Sequence, residues 1–367
     1  MKTLVLGGTA WLGHRIASTA VAAGHDVTCL ARGIAVPDGV TLVRADRDHD
    51  DALAPVIGHR WDAVIDVARE PGHVRRAVRD LEPVADRYLF ISTTSVYAAP
   101  GPVGADESAE RVPPLAADRV PGPDDYGPAK AACEDAVLDA FGEDRALIAR
   151  AGLIGGPGDP TGRTDYWPWR FAHPTRASSA DTDTSTSTST STSNSNSNST
   201  DGRFVLVPDA PDLPTSVIDV RDLAEWLVRC AEQSTSGVMD AVGPSALFPA
   251  HLEAAREAAE AAPTAVTATA SADWLLAREV GQWAGPRSLP LWIADADWYG
   301  MNARTGDRAR SAGLTHRLLV DTLRDALDDR ERRSDPGTRP SGLDDDDHAA
   351  LLAELLAGAG AGEGSPD

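Results

Sequence analysis

An apolar run, Met1 to Leu6, breaks into Gly7-Gly8-Thr9-Ala10-Trp11-Leu12-Gly13, and a helical pattern then runs to Gly24. Few local sequences restrict a fold as much. A buried strand that turns on glycine into a helix presents free backbone N–H groups and the positive end of a helix dipole to a pyrophosphate. The common GxGxxG spacing is absent; a glycine pair, four residues and Gly13 stand instead. Gly7 would make the tight turn, Gly8 or Thr9 would let the main chain approach phosphates, and Gly13 would let the helix pack close to the strand. Ala10 stands where a further glycine is often found, and its methyl group is small enough for the turn. An ordinary glycine turn is the alternative.

Strand and helix signals alternate after Gly24. Strands are expected at Val27 to Ala31, Thr41 to Arg44, Ala63 to Val67 and Tyr88 to Ser92, with a helix from about Val74 to Val84 before the last. This alternation predicts an α/β fold of the Rossmann type, a doubly wound parallel sheet that binds ligands at the carboxyl ends of its strands. No acid ends the second strand to hold adenosine ribose hydroxyls. Ala31-Arg32 leaves room and positive charge for a 2′-phosphate, which leans the cofactor toward NADP, although Arg32 as a plain solvated loop residue is an equal reading. Asp46 and Arg47, at the end of the third strand, stand where an adenine edge would lie.

The run Ser92-Thr93-Thr94-Ser95 falls on the same ligand edge, after the fifth strand. A Pro-, Gly- and acid-rich loop, 98–125, follows and leads into Tyr126-Gly127-Pro128-Ala129-Lys130 and a helix to about Ala140. Tyr126 and Lys130 lie four apart, on one helix face, where an ammonium could stabilise a phenolate. With five tyrosines and only two lysines, Lys2 and Lys130, this spacing arises by chance about 0.03 times in such a chain.

The formal net charge of −22 opposes nucleic acid or an anionic membrane as the main partner. Low lysine and abundant Asp fit solubility in strong salt, a halophilic trait, and also fit the Arg-for-Lys drift of a GC-rich genome. Cys29, Cys133 and Cys230 are too widely spaced to suggest a disulfide framework or a metal site. No apolar segment precedes the first strand as a signal peptide and no run is long enough to span a bilayer, so a cytoplasmic location is expected.

A sixth strand at Arg145 to Ala149 leads through Arg150-Ala151-Gly152-Leu153-Ile154 to a glycine-rich turn. Tyr166, Trp167 and Trp169 then either line a substrate pocket or form the core of a second lobe. The expected division is a dinucleotide domain over 1–165, rejoined by 215–243, and a smaller C-terminal substrate lobe over 166–214 and 244–330. That lobe holds a disordered Ser/Thr/Asn/Asp insertion at 177–202, and an acidic linker and tail helix occupy 331–367.

The glycine turn, the hydroxyl run and the Tyr-x-x-x-Lys pair together resemble the short-chain dehydrogenase/reductase superfamily, in particular its extended and atypical NAD-dependent epimerase/dehydratase branch. The Gly-Gly-x-x-x-x-Gly form resembles an atypical subgroup of it. The resemblance implies Thr93 as the active-site hydroxyl, Tyr126 as general acid/base and Lys130 as its partner, also bonding the nicotinamide ribose. It implies cofactor contacts from Gly7, Gly8, Thr9, Ala10, Trp11, Leu12, Gly13, Arg32, Asp46, Arg47, Val67, Ala68, Tyr126, Lys130, Ala151, Gly152 and Leu153. An NAD(P)-dependent oxidoreductase or epimerase/dehydratase is then expected, moving hydride to or from a hydroxyl or carbonyl carbon of a small-molecule substrate such as a nucleotide sugar, with a homodimer among the assemblies allowed. The other expectation is a non-catalytic nucleotide-sensing or RNA-binding protein on the same fold.

Overall fold

The computed structural model describes residues 1–99, 101–176, 202–261, 265–335, 337 and 340–361. Apart from Gly202, the tract 177–202 lies outside the described residues. Seven parallel strands form the main sheet: β1 (Lys2–Leu6), β2 (Asp26–Ala31), β3 (Thr41–Arg44), β4 (Ala63–Asp66), β5 (Tyr88–Thr93), β6 (Ala146–Ala151) and the edge strand Gly237–Ala241. From that edge the order is Gly237–Ala241, β6, β5, β4, β1, β2, β3, with Val5 opposite both Cys29 and Ile65 and Ile91 opposite Ala149. The chain's direction across the sheet reverses between β1 and β4, and that switch point opens the ligand crevice at the carboxyl ends.

Both faces of the sheet are covered, which is why its strands read as continuous apolar runs. Alternate residues of each strand point to opposite faces. Val5, Ile65 and Ile91 meet Ile16, Ala17 and Ala20 of α1 (Trp11–Ala22) and Trp226 and Leu227 of helix Val220–Gln233. Leu4, Leu6 and Phe90 meet Val74 and Leu81 of α2 (Pro71–Leu81) and Val137 and Phe141 of α3 (Tyr126–Arg145). Gly24, at φ 82°, ends α1 as the sequence predicts, and the N–H of His25 returns to the Ala20 carbonyl.

The second lobe is built on Arg203–Pro208, which pairs parallel with Ala265–Ala270 and antiparallel with Thr175–Arg176. The aromatic segment proves to be its core rather than a pocket wall. Tyr166 and Trp167 are fully buried in helix Tyr166–Ala172, and Trp167 meets Phe248 edge-on and donates to the Pro290 carbonyl at 2.8 Å. The expectation of an appended tail is corrected: helix Asp345–Ala361 buries Leu351 and Leu352 in the same core, and His348 Nε2 accepts from the Leu206 N–H at 3.1 Å. Acidic residues on its outer side masked that apolar face in the sequence.

His251 is also wholly buried there, stacked on Phe248, with neither ring nitrogen hydrogen-bonded among the described residues. Burial pushes its pKa from 6.5 down to about 4. The ring is neutral in the folded chain and takes a proton on unfolding, so stability falls as pH drops from about 6.5 to about 4 and is unaffected above that window. Unfolding titrations of wild type and His251→Leu at pH 7.5 and pH 4 should show the variant gaining about 3 kcal/mol relative to wild type at the lower pH. A difference that does not change with pH would contradict the assignment.

Candidate active site

The turn after β1 is shaped by contacts that exclude side chains. Gly7 has φ 95°, and a Cβ on Gly13 would lie 2.3 Å from the Gly7 carbonyl oxygen, so α1 can approach the turn only with glycine there. Gly8 has a different use from the one its sequence suggests. A Cβ at Gly8 would meet Cys29 Sγ at 2.1 Å, which makes it a packing position against β2. Ala10 precedes α1 in extended conformation and no side chain caps the helix, which leaves N–H groups of its first turn open to an anion.

Two cavities meet at this turn. One, of about 350 Å³, is bounded by Gly7, Thr9, Ala10, Ala31, Arg32, Arg47, Val67 and Ala68. The other, of about 380 Å³, is bounded by Ala10, Trp11, Leu12, Gly13, Val67, Arg69, Thr93, Tyr126, Lys130, Ala151 and Gly152. Ala10 and Val67 are common to both, so the two form one elongated cleft across the switch point. Its length, its glycine cradle and its uncapped helix fit a dinucleotide.

Several expected contacts are rearranged. Arg32 is exposed at the rim of the first cavity. Arg47 borders it, but its guanidinium is taken up by the buried Asp66 carboxylate at 2.7 and 2.8 Å, which also accepts from the Tyr88 hydroxyl at 2.6 Å. Asp46 is not on the cavity wall; its carboxylate accepts the Asp48 N–H at 3.1 Å and shapes a turn. Leu153 turns into the core of the second lobe, and Ile154 borders the cleft in its place. That short strand, Leu153–Gly155, alternates its faces, which a one-residue shift in reading inverts.

Thr93 and Tyr126 converge as expected of them. The cause is Gly127, whose place a Cβ could not share with the Ser95 carbonyl oxygen 2.2 Å away; α3 therefore seats its first turn directly on Thr94–Val96. Thr93 Oγ1 accepts from the Ser95 N–H and donates to Ser95 Oγ, both at 3.2 Å, and it shares the cavity wall with Tyr126, close enough for its hydroxyl to favour the phenolate. Burial raises the phenol's pKa, and the Arg69 guanidinium and the Thr93 hydroxyl pull against that rise. The phenol is therefore protonated at neutral pH.

Lys130 departs from its expected role. It lines the same cavity, but its ammonium donates to the main-chain carbonyls of Ala68, at 2.7 Å, and Ile91, and lies 4.1 Å from the Phe90 ring centroid. It ties the carboxyl ends of β4 and β5 together, and burial pushes its pKa down to about 8. The cation over the Tyr126 ring is Arg69, 5.1 Å from its centroid. No motif pointed to Arg69; only its place, three residues past the end of β4 at the ligand edge, could have.

Residues 3–86 match the model of the NAD dependent epimerase/dehydratase family. No curated protein sequence matches the chain. Among solved structures, UDP-N-acetylglucosamine 4-epimerase from Bacillus cereus is similar at 13% identity and a TM-score of 0.61, over 91% of this chain and 98% of that one. UDP-glucose 4-epimerase from Thermus thermophilus, in complex with NAD, is similar at 17% identity and TM-score 0.58, over 90% and 98%. UDP-glucose 4-epimerase from Thermotoga maritima, with UDP-glucose, is similar at 13% identity and TM-score 0.59, over 90% and 99%. These likenesses extend the shared fold across the second lobe.

Proposed function

We propose that this protein is an NAD(P)-dependent enzyme of the epimerase/dehydratase type, in which Tyr126 exchanges a proton with a substrate hydroxyl or carbonyl oxygen that Thr93 holds. The observation that carries the reading is the convergence of Thr93 and Tyr126 on the wall of a cleft whose other end is the glycine turn. A nicotinamide dinucleotide bound there supplies the hydride acceptor or donor. The protein's own part is to orient and to move the proton. A protonated Tyr126 is ready to donate to a carbonyl oxygen, and in the oxidising direction turnover should rise with pH. Lys130 supports this indirectly, by fixing the strand ends on which Thr93 stands.

The NAD- and UDP-sugar-containing neighbours favour a nucleotide sugar as substrate, over the same fold used only for nucleotide sensing. No helix among the described residues is long and apolar enough to cross a membrane, and the acid-rich composition suits a salt-rich cytoplasm.

Thermal unfolding in high salt with millimolar NADH and NADPH tests the cofactor assignment, and a rise in Tm is expected with at least one. Arg32→Ala should weaken NADPH about 10-fold, the worth of one charge-assisted hydrogen bond to a 2′-phosphate, and leave NADH unchanged. No shift with either nucleotide would refute the cofactor reading; equal effects on both would remove Arg32 from the 2′-phosphate.

A further inference from the structure

The active-site cleft contains positive charge that no carboxylate among the described residues pairs with directly. This is unexpected in a protein with 56 acidic and 34 basic residues, where nearby guanidiniums are matched to carboxylates, Arg47 to Asp66 and Arg150 to Glu134 among them. Arg69, exposed in the cleft beside Tyr126, has no ion pair or hydrogen bond among the described residues. Arg163, on the loop after cleft residue Pro160, is half-buried, bonds Thr161 Oγ1 at 3.1 Å and lies 5.3 Å from the Trp283 ring centroid, with no carboxylate within 4 Å among the described residues.

The acids close to these arginines direct their oxygens to neutral donors, and Asp159 acts on Arg163 only through space. Glu70 accepts the Val120 N–H at 2.7 Å, and the Asp159 carboxylate accepts from the N–H and hydroxyl of both Thr161 and Thr164. Both guanidiniums act electrostatically on the Tyr126 phenol, and burial depresses the pKa of Arg163. A half-buried cation without a directly paired counter-charge is costly, and its cost is relieved when an anion enters. The phosphate-binding turn has its own open N–H groups at α1, so the arginines are surplus to a diphosphate there.

We infer that Arg69 and Arg163 hold a compact anionic group of the substrate, a carboxylate or a phosphoryl group, next to the carbon whose oxygen meets Tyr126. The inference rests on Tyr126 as the proton-transfer group and narrows the substrate class to molecules with an anion near the reacting carbinol. Such a pair also selects against neutral analogues, which would leave the guanidiniums without a partner.

Calorimetric titration of the full chain with oxalate and with inorganic phosphate, each with and without saturating NADH, provides the test. At least one anion should bind wild type at a single site, and Arg69→Met and Arg163→Met should each weaken it 10-fold or more while NADH affinity stays within twofold. The tighter of the two anions tells a carboxylate from a phosphoryl group. Arg69→Lys, which keeps the charge, should recover part of the binding, and unchanged melting curves would show that the variants fold. The inference is overturned if neither anion binds, if the Met variants bind as wild type does, or if they lose NADH 10-fold, which would give the arginines to the cofactor. A wild type that binds the anion through Arg69 but no dinucleotide would overturn the proposed function and leave the anion site standing.

Discussion

Tyr126→Phe should lower turnover by about 10³-fold, the middle of the range for removing a positioned general acid or base, with the affinity for NADH unchanged. The hydroxyl is the only atom lost. Phenylalanine retains the ring against which Arg69 lies, and α3 is seated by Gly127 rather than by the phenol. A structural role for Tyr126 would instead lower Tm and NADH binding together. Steady-state rates beside NADH fluorescence titration separate the two, and retained turnover in the variant would remove Tyr126 from the chemistry. Thr93→Ala should cost less, because it removes one hydrogen bond to the reacting oxygen and leaves the proton donor in place.

The second large effect is on stability. Glu134→Ala should destabilise the fold by about 3–5 kcal/mol, the typical loss when one member of a buried ion pair is deleted. Glu134 is fully buried on α3. It receives Arg150 Nη2 at 2.8 Å, Arg111 Nη1 at 3.0 Å and the Ser92 hydroxyl at 2.5 Å. Arg150 continues to the Tyr97 hydroxyl at 3.0 Å, Tyr97 donates to Asp240 at 2.6 Å, and Asp240 accepts Arg304 Nε at 2.6 Å. Loss of the carboxylate leaves Arg150 buried without a counter-charge and loosens α3 from β5, the two elements that bring Tyr126 and Thr93 together. Denaturant unfolding measures the cost, and a loss below about 1 kcal/mol would mean that the network is not what seats α3. Glu134→Gln, which can still hydrogen-bond Ser92, should lose less.

The sheet was legible because its strands are covered on both faces. Buried parallel strands have to be apolar throughout, and helices between them are punctuated by proline and glycine, so β1, β3 and the start of α3 are readable to within a residue or so. The placing of Thr93 and Tyr126 on one cleft was legible for a related reason, since the hydroxyl run follows a strand's carboxyl end and Tyr126 opens the next helix. The fate of Lys130 was not. Helical spacing puts it on the face of Tyr126, yet its four-carbon stem reaches past the phenol to whichever acceptors are nearest, and those are carbonyls of Ala68 and Ile91, 62 and 39 residues away in the chain. Arg47 is a similar case: only the register of β4 reveals that Asp66 lies beneath it.

Local pattern by itself determined the strand–turn–helix opening, the order of the main elements and the edge of the sheet at which the cleft opens, because these follow from periodicity, glycine and helix geometry over short distances. Tertiary structure alone decided which charges cancel. It matched Arg47 with Asp66 and Arg150 with Glu134, turned Lys130 toward the main chain, and left Arg69 beside the phenol, and Arg163 on the loop past Pro160, without a paired carboxylate among the described residues. Coulomb interactions depend on distances through space and on burial, and neither is written in the spacing of residues along the chain.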